Sequence, residues 1–107
     1  MPIIRIDYDN EQVSSEDVQK VSHAVRDIVS EVTKIDDVFV YANSSEIKIK
    51  VAPVEIFIEM SAHKIADPDA LLKEIVERIS VWKKENDFTV PLNISLIPMP
   101  WKIEIGV

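Results

Sequence analysis

Pro2 stands behind a single residue, Met1, and opens an alternating run, Pro2-Ile3-Ile4-Arg5-Ile6. Removal of Met1 would leave a secondary amine as the first atom of the chain, and such an amine can serve as a general base. An α-amino group has an ordinary pKa of roughly 8, which burial or a nearby cation lowers because both disfavour the charged form. A neutral amine can take a proton from the carbon beside a carbonyl and return it elsewhere, while a cation or a backbone N–H stabilises the enolate oxygen. Pro2 also has a plain structural use, because proline begins strands where its missing N–H is of no consequence.

The other chemistry-bearing residues offer less. Glu55 and Glu59 share a strand face, but Arg5 faces the same way on the strand expected beside them, so a cross-strand ion pair is expected. His63, in Ser61-Ala62-His63-Lys64, lacks a second ligand at metal spacing, and His23 falls outside the apolar stripe of its helix. No metal and no cofactor is expected, and the single glycine, Gly106, leaves no loop to cradle a phosphate.

The elements that must position Pro2 follow from periodicity. The first strand, Pro2 to about Tyr8, puts Ile4, Ile6 and Tyr8 on one face and Ile3, Arg5 and Asp7 on the other. Ser14-Ser15-Glu16-Asp17 reads as a helix start, and Val18, Val21, Val25, Ile28, Val29 and Val32 make one apolar stripe to about Lys34. A hairpin is expected next: Val38 to Tyr41, a reversal at Asn43-Ser44-Ser45, and a return arm over Glu46–Val51 that alternates strictly. The opening layout then returns 51 positions on, with Pro53 ahead of Val54 to Ala62 and a helix capped by Asp67-Pro68 that ends near Asn86. Pro91 to Ile97 reads as a fifth strand stopped by Pro98-Met99-Pro100, and Trp101 to Ile105 as a short sixth.

These elements predict an α+β fold of two β-α-β units related by a pseudo-two-fold, over about 2–51 and 53–105. Each helix makes a right-handed crossover, so both lie on one face of a four-stranded mixed sheet. The other sheet face then needs a cover, which predicts an oligomer.

At 107 residues the chain fits one domain, and 47% hydrophobic with 29% charged residues is a globular balance. Nineteen acidic against twelve basic side chains, with no basic run longer than Lys83-Lys84, argue against nucleic acid as a partner. The absence of cysteine excludes disulfides, thiolate metal sites and cysteine nucleophiles, and fits a reducing cytoplasm. No apolar run approaches the ~20 residues that span a bilayer, so no membrane association is expected.

Met1-Pro2 with its apolar strand, the duplicated β-α-β halves, and Pro53 to Ala62 leading into a second helix together resemble the tautomerase superfamily. Within it, the chain resembles the macrophage migration inhibitory factor-like proteins in length and two-unit form. It is also similar to an uncharacterised tautomerase-like branch classed as a domain of unknown function. The resemblance implies a homotrimer whose three sheets form a central barrel, with the proline in a pocket shared between neighbouring subunits. It implies Pro2 as the catalytic base and a small carbonyl compound as ligand.

As substrate-binding positions the resemblance implies Lys34, in Thr33-Lys34 just past the first helix, and the strand-end backbone at Ser61 and Ala62. It also implies Asn93 and Ser95 on the fifth strand, supplied across the subunit boundary. Lys34 has an alternative reading as a cation placed at a helix C-terminus for its dipole. Glu11 and Gln12 stand where the dicarboxylate-acting members carry an arginine, which argues against a strongly anionic substrate. Two other readings stay open: a non-catalytic trimer that binds a small ligand or a protein through the same fold, and a ferredoxin-like regulatory dimer.

Overall fold

A computed structural model describes residues 1–107. The elements in order are β1 (Ile3–Tyr8), α1 (Ser15–Thr33), β2 (Phe39–Asn43), β3 (Val54–Ser61), a 3-10 turn (Ala62–Lys64), α2 (Pro68–Glu85) and β4 (Asn93–Met99). The sheet runs β2-β1-β3-β4, with β1 parallel to β2, β3 parallel to β4, and β1 antiparallel to β3. Two parallel β-α-β units therefore meet at one antiparallel seam. No helix is long and apolar enough to cross a membrane.

Both helices start where their caps require. The Ser14 hydroxyl accepts from the Asp17 N–H at 3.1 Å, and Asp67 Oδ1 accepts from the Ala70 N–H at 3.2 Å with Pro68 in the first turn. Ile4 and Ile6 of β1 and Ile56 and Ile58 of β3 are fully buried under Val21, Val25 and Val29 of α1 and Ile75 and Ile79 of α2. The β-branched valines of α1 are modest helix formers, so this packing is what holds the helix. Val76 of α2 is exposed.

The opposite sheet face has no helix over it, and only the segment after β2 lies against one end of it. The register sets Tyr41, Arg5, Phe57 and Ser95 across its middle, and Asn43, Asp7, Glu55 and Asn93 across one end. The cross-strand ion pair forms at 3.4 Å between Arg5 and Glu59, and the Arg5 guanidinium lies 5.3 Å from the Phe57 ring centre.

Two expected strands do not form. Glu46–Val51 is no return arm: β2 takes its partner from β1 alone, and the segment runs past it with Ile47 86% and Ile49 99% exposed. Its alternation serves another contact, because Lys48 turns inward and bonds Asp9 Oδ1 and Asn10 Oδ1, each at 2.8 Å. The tail after Met99 is likewise unpaired, with Ile103 and Ile105 exposed. β2 and β4 each keep a free edge, but neither segment pairs with it. The strand expected over Pro91 to Ile97 runs instead over Asn93–Met99, through Pro98. β4 is an edge strand, so a residue without an N–H can pair there by its other groups.

The Asp9 carboxylate is the buried polar anchor of this layer. Besides Lys48 it accepts from Gln12 Nε2 at 2.6 Å and from the Glu11 N–H at 3.1 Å. These bonds, the lysine's foremost, lower its pKa from 3.8 to about 2. A carboxyl depressed on folding contributes stability above its unfolded pKa and loses it as pH falls toward the folded value. The contribution is therefore complete above about pH 4 and gone near about pH 2. Lys48→Met removes the foremost partner, so its melting temperature, followed by circular dichroism, should fall less between those pH values than the wild-type one. Equal falls would show that the ion pair is not linked to folding.

Candidate functional site

Pro2 lies at the end of the sheet where β1 enters between β2 and β3. Ile3 pairs with Phe39 on one side and Glu59 on the other, and the Pro2 carbonyl accepts from the Phe39 N–H at 3.1 Å. The pyrrolidine ring is less than 2% exposed. Three further expected residues gather at this end. Ser61 and Ala62 follow Glu59 directly where β3 passes into the 3-10 turn, and Lys34 opens the loop that delivers the chain to β2.

Asn93 and Ser95 are not part of that group. Asn93 pairs with Glu55, itself opposite Asp7, and its side chain donates to Glu55 Oε1 at 2.9 Å. At ~3.3 Å per strand residue this places Asn93 roughly 17 Å along the sheet from Pro2. Ser95 sits mid-face beside Phe57. Within one chain neither can touch a ligand held at Pro2.

Lys34 caps α1 in the left-handed conformation, φ 60° and ψ 32°, and its exposed side chain makes no ion pair. That backbone region costs an L-residue about 1–2 kcal/mol and costs glycine almost nothing. His63 and Lys64, in the 3-10 turn after Ser61, are also exposed, so the proline end carries three side chains able to bear positive charge. No group of three or more His, Asp or Glu side chains is arranged to hold a metal ion.

A cavity of about 310 Å³ lies at the opposite end, between the sheet and the segment after β2. Asp7, Tyr8, Lys50, Glu55 and Phe57 are among its walls. Sequence reasoning missed the Asp9–Lys48 anchor that holds this segment. The local signal was present, because Asp9-Asn10-Glu11-Gln12 after a strand suits a side-chain-capped turn, but nothing local names a partner 39 residues away.

The chain matches no family profile and none of the curated proteins by sequence. Solved structures do match over nearly its whole length. A malonate semialdehyde decarboxylase inhibited by 3-bromopropiolate aligns with TM-score 0.69 at 18% identity, over 98% of this chain and 91% of that one. A domain of unknown function from Sebaldella termitidis aligns with TM-score 0.67 at 16% identity, over 100% and 98%. A macrophage migration inhibitory factor-like protein from Entamoeba histolytica aligns with TM-score 0.63 at 14% identity, over 96% and 95%. The chain has the tautomerase-superfamily fold. At such identities the tautomerase fold is what is shared, and the fold by itself selects no reaction.

The strained cap at Lys34 gives a direct test of whether that side chain serves the fold or a ligand. Lys34→Gly should raise stability by about 0.5–1 kcal/mol in urea denaturation, because glycine enters the left-handed region freely. A loss of stability in this variant would mean that the lysine side chain supports the helix end.

Proposed function

We propose that this tautomerase-fold protein acts on a small enolisable carbonyl compound, with the Pro2 amine as general base once Met1 is removed. The observation that carries this reading is the burial of the proline ring at the sheet end where Lys34, Ser61 and Ala62 also lie. An amine held there is shielded from water, which favours its neutral, proton-accepting form. It would take the proton α to the carbonyl, and Lys34 would stabilise the oxygen that gains the charge. The amine then carries the proton to its new position, so atoms and charge balance with no other reactant.

The working form in this reading is a homotrimer. Ile47, Ile49, Ile103 and Ile105 are exposed on two segments without strand partners, and the sheet face opposite the helices is open over most of its length. Burying such residues and pairing such segments between copies removes both costs at once. A trimer also supplies Asn93 and Ser95 to a neighbour's proline end, which their own chain cannot do. Sedimentation equilibrium should give three times the chain mass, and Ile47→Asp with Ile49→Asp should shift it toward monomer.

A non-catalytic binding module is favoured by a different observation: the principal cavities of the single chain do not include Pro2. Intact mass and turnover separate the two readings. Protein that has lost Met1 should exchange enol and keto forms of small 2-oxo acids, followed by ultraviolet absorbance. Pro2→Ala should lower kcat/KM by about 10²–10⁴-fold. Retention of Met1, or equal rates in the variant, would overturn the catalytic reading and leave the binding module.

A further inference from the structure

The outer surface of the helical layer carries a feature that the reaction above does not use. Between α1 and α2 runs a groove of about 650 Å³, continued by one of about 440 Å³, and the two share Ile28 and Trp82 as floor. The Trp82 indole is set by Phe88, with ring centres 5.2 Å apart, so the floor is fixed by a core residue. Val81, 53% exposed, stands on the wall.

The charges along this groove are unevenly satisfied. Arg78 is already bonded to Glu31 at 3.3 Å and to Glu74 at 3.1 Å, and Lys20 is paired with Glu16. Glu77 and Glu85 also line the groove and take part in no ion pair. They stand four residues before and four after Val81, on one stripe of α2, about 12 Å apart along the axis at ~1.5 Å per residue. An exposed apolar side chain between two unpaired carboxylates is a complement for a partner with the opposite order.

We infer that this groove docks an amphipathic helix of another protein, one that presents an apolar anchor flanked four residues away on each side by Lys or Arg. The apolar anchor would enter over Trp82 and Val81, and the two cations would meet Glu77 and Glu85, the helix-in-groove mode of recognition. The formal net charge of −7 steers a basic partner toward the molecule. A second copy of this chain does not fit: its only pair of basic residues eight apart, Arg26 and Lys34, has Ser30 midway. The groove is lined by residues of α1, α2 and Asn86 alone, none of them on the open face or in the unpaired segments, so docking there leaves those surfaces free.

The test uses the full chain with Trp101→Phe, which leaves Trp82 as its only tryptophan. The probe is a 17-residue helical peptide with leucine at its centre and arginine four residues to either side; the control has glutamate in place of both arginines. Saturable change of Trp82 emission with the arginine peptide, at least about tenfold weaker for the control, is the expected result. Glu77→Lys with Glu85→Lys should weaken the arginine peptide by a similar factor and improve the control, a reversal that misfolding cannot produce. Equal affinity for both peptides, no saturable change with either, or unaltered affinity in the double variant would overturn the proposal. So would self-association that Val81→Glu abolishes, since the groove would then belong to a second copy.

Discussion

The antiparallel contact between β1 and β3 is the constraint on which the rest of the structure depends. Ile4 faces Ile58 and Ile6 faces Ile56 across it, and all four side chains are closed off from solvent by the two helices. Each β-α-β unit brings its own helix and a second strand, but only this seam makes the two apolar layers continuous. It also fixes what lies at each end of the sheet. Because β1 is an inner strand, the residue before it is walled by β2 on one side and β3 on the other, and Pro2 becomes a buried ring.

The same geometry divides the molecule into two chemical halves. One sheet face is apolar and sealed; the other mixes Arg5, Asp7, Glu55 and Glu59 with Phe39, Tyr41 and Phe57, and stays open. An open face of that mixture has too much polar surface to be a conventional core and too much aromatic surface to be indifferent to cover. The cation over Phe57 and the Arg5–Glu59 pair are its internal compensation. Exposed pairs of this sort contribute about 1 kcal/mol or less, so they tune the face and do not hold the fold.

What could be read in the amino-acid sequence was what is locally encoded. Ser14 and the Asp67-Pro68 pair announce their helices, the valine stripe of α1 announces its buried side, and the alternation of β1 and β3 announces which residues point inward. The expected Arg5 ion pair follows from the same alternation. What failed depended on a partner chosen far away. Glu46–Val51 and Trp101 to Ile105 alternate as strands do, yet alternation states only that a segment can pair, not that it will take up a free edge. Lys48 reads like Lys50 from the sequence and differs only because Asp9 lies beneath it. The same limit applies to the candidate site. Pro2, Lys34, Ser61 and Ala62 lie at one end of the sheet because each sits at the end of an element. The distance of Asn93 and Ser95 from Pro2 depends on the β3–β4 register, which no local signal specifies.

The place of β1 at the middle of the sheet has a temporal side. One of its edges can be taken by β2 within the first half of the chain, but the other waits for β3, with Ile3 meeting Glu59 only after 55 intervening residues have been ordered or looped out. Closing so long a loop before its contacts reward it is the slow kind of step, and until it closes the first half presents a bare apolar strand edge to whatever is near. The two units are thus alike in plan but not autonomous in assembly. A ribosome pausing between Asn43 and Val54 would hold out the half of this molecule most ready to stick to another copy.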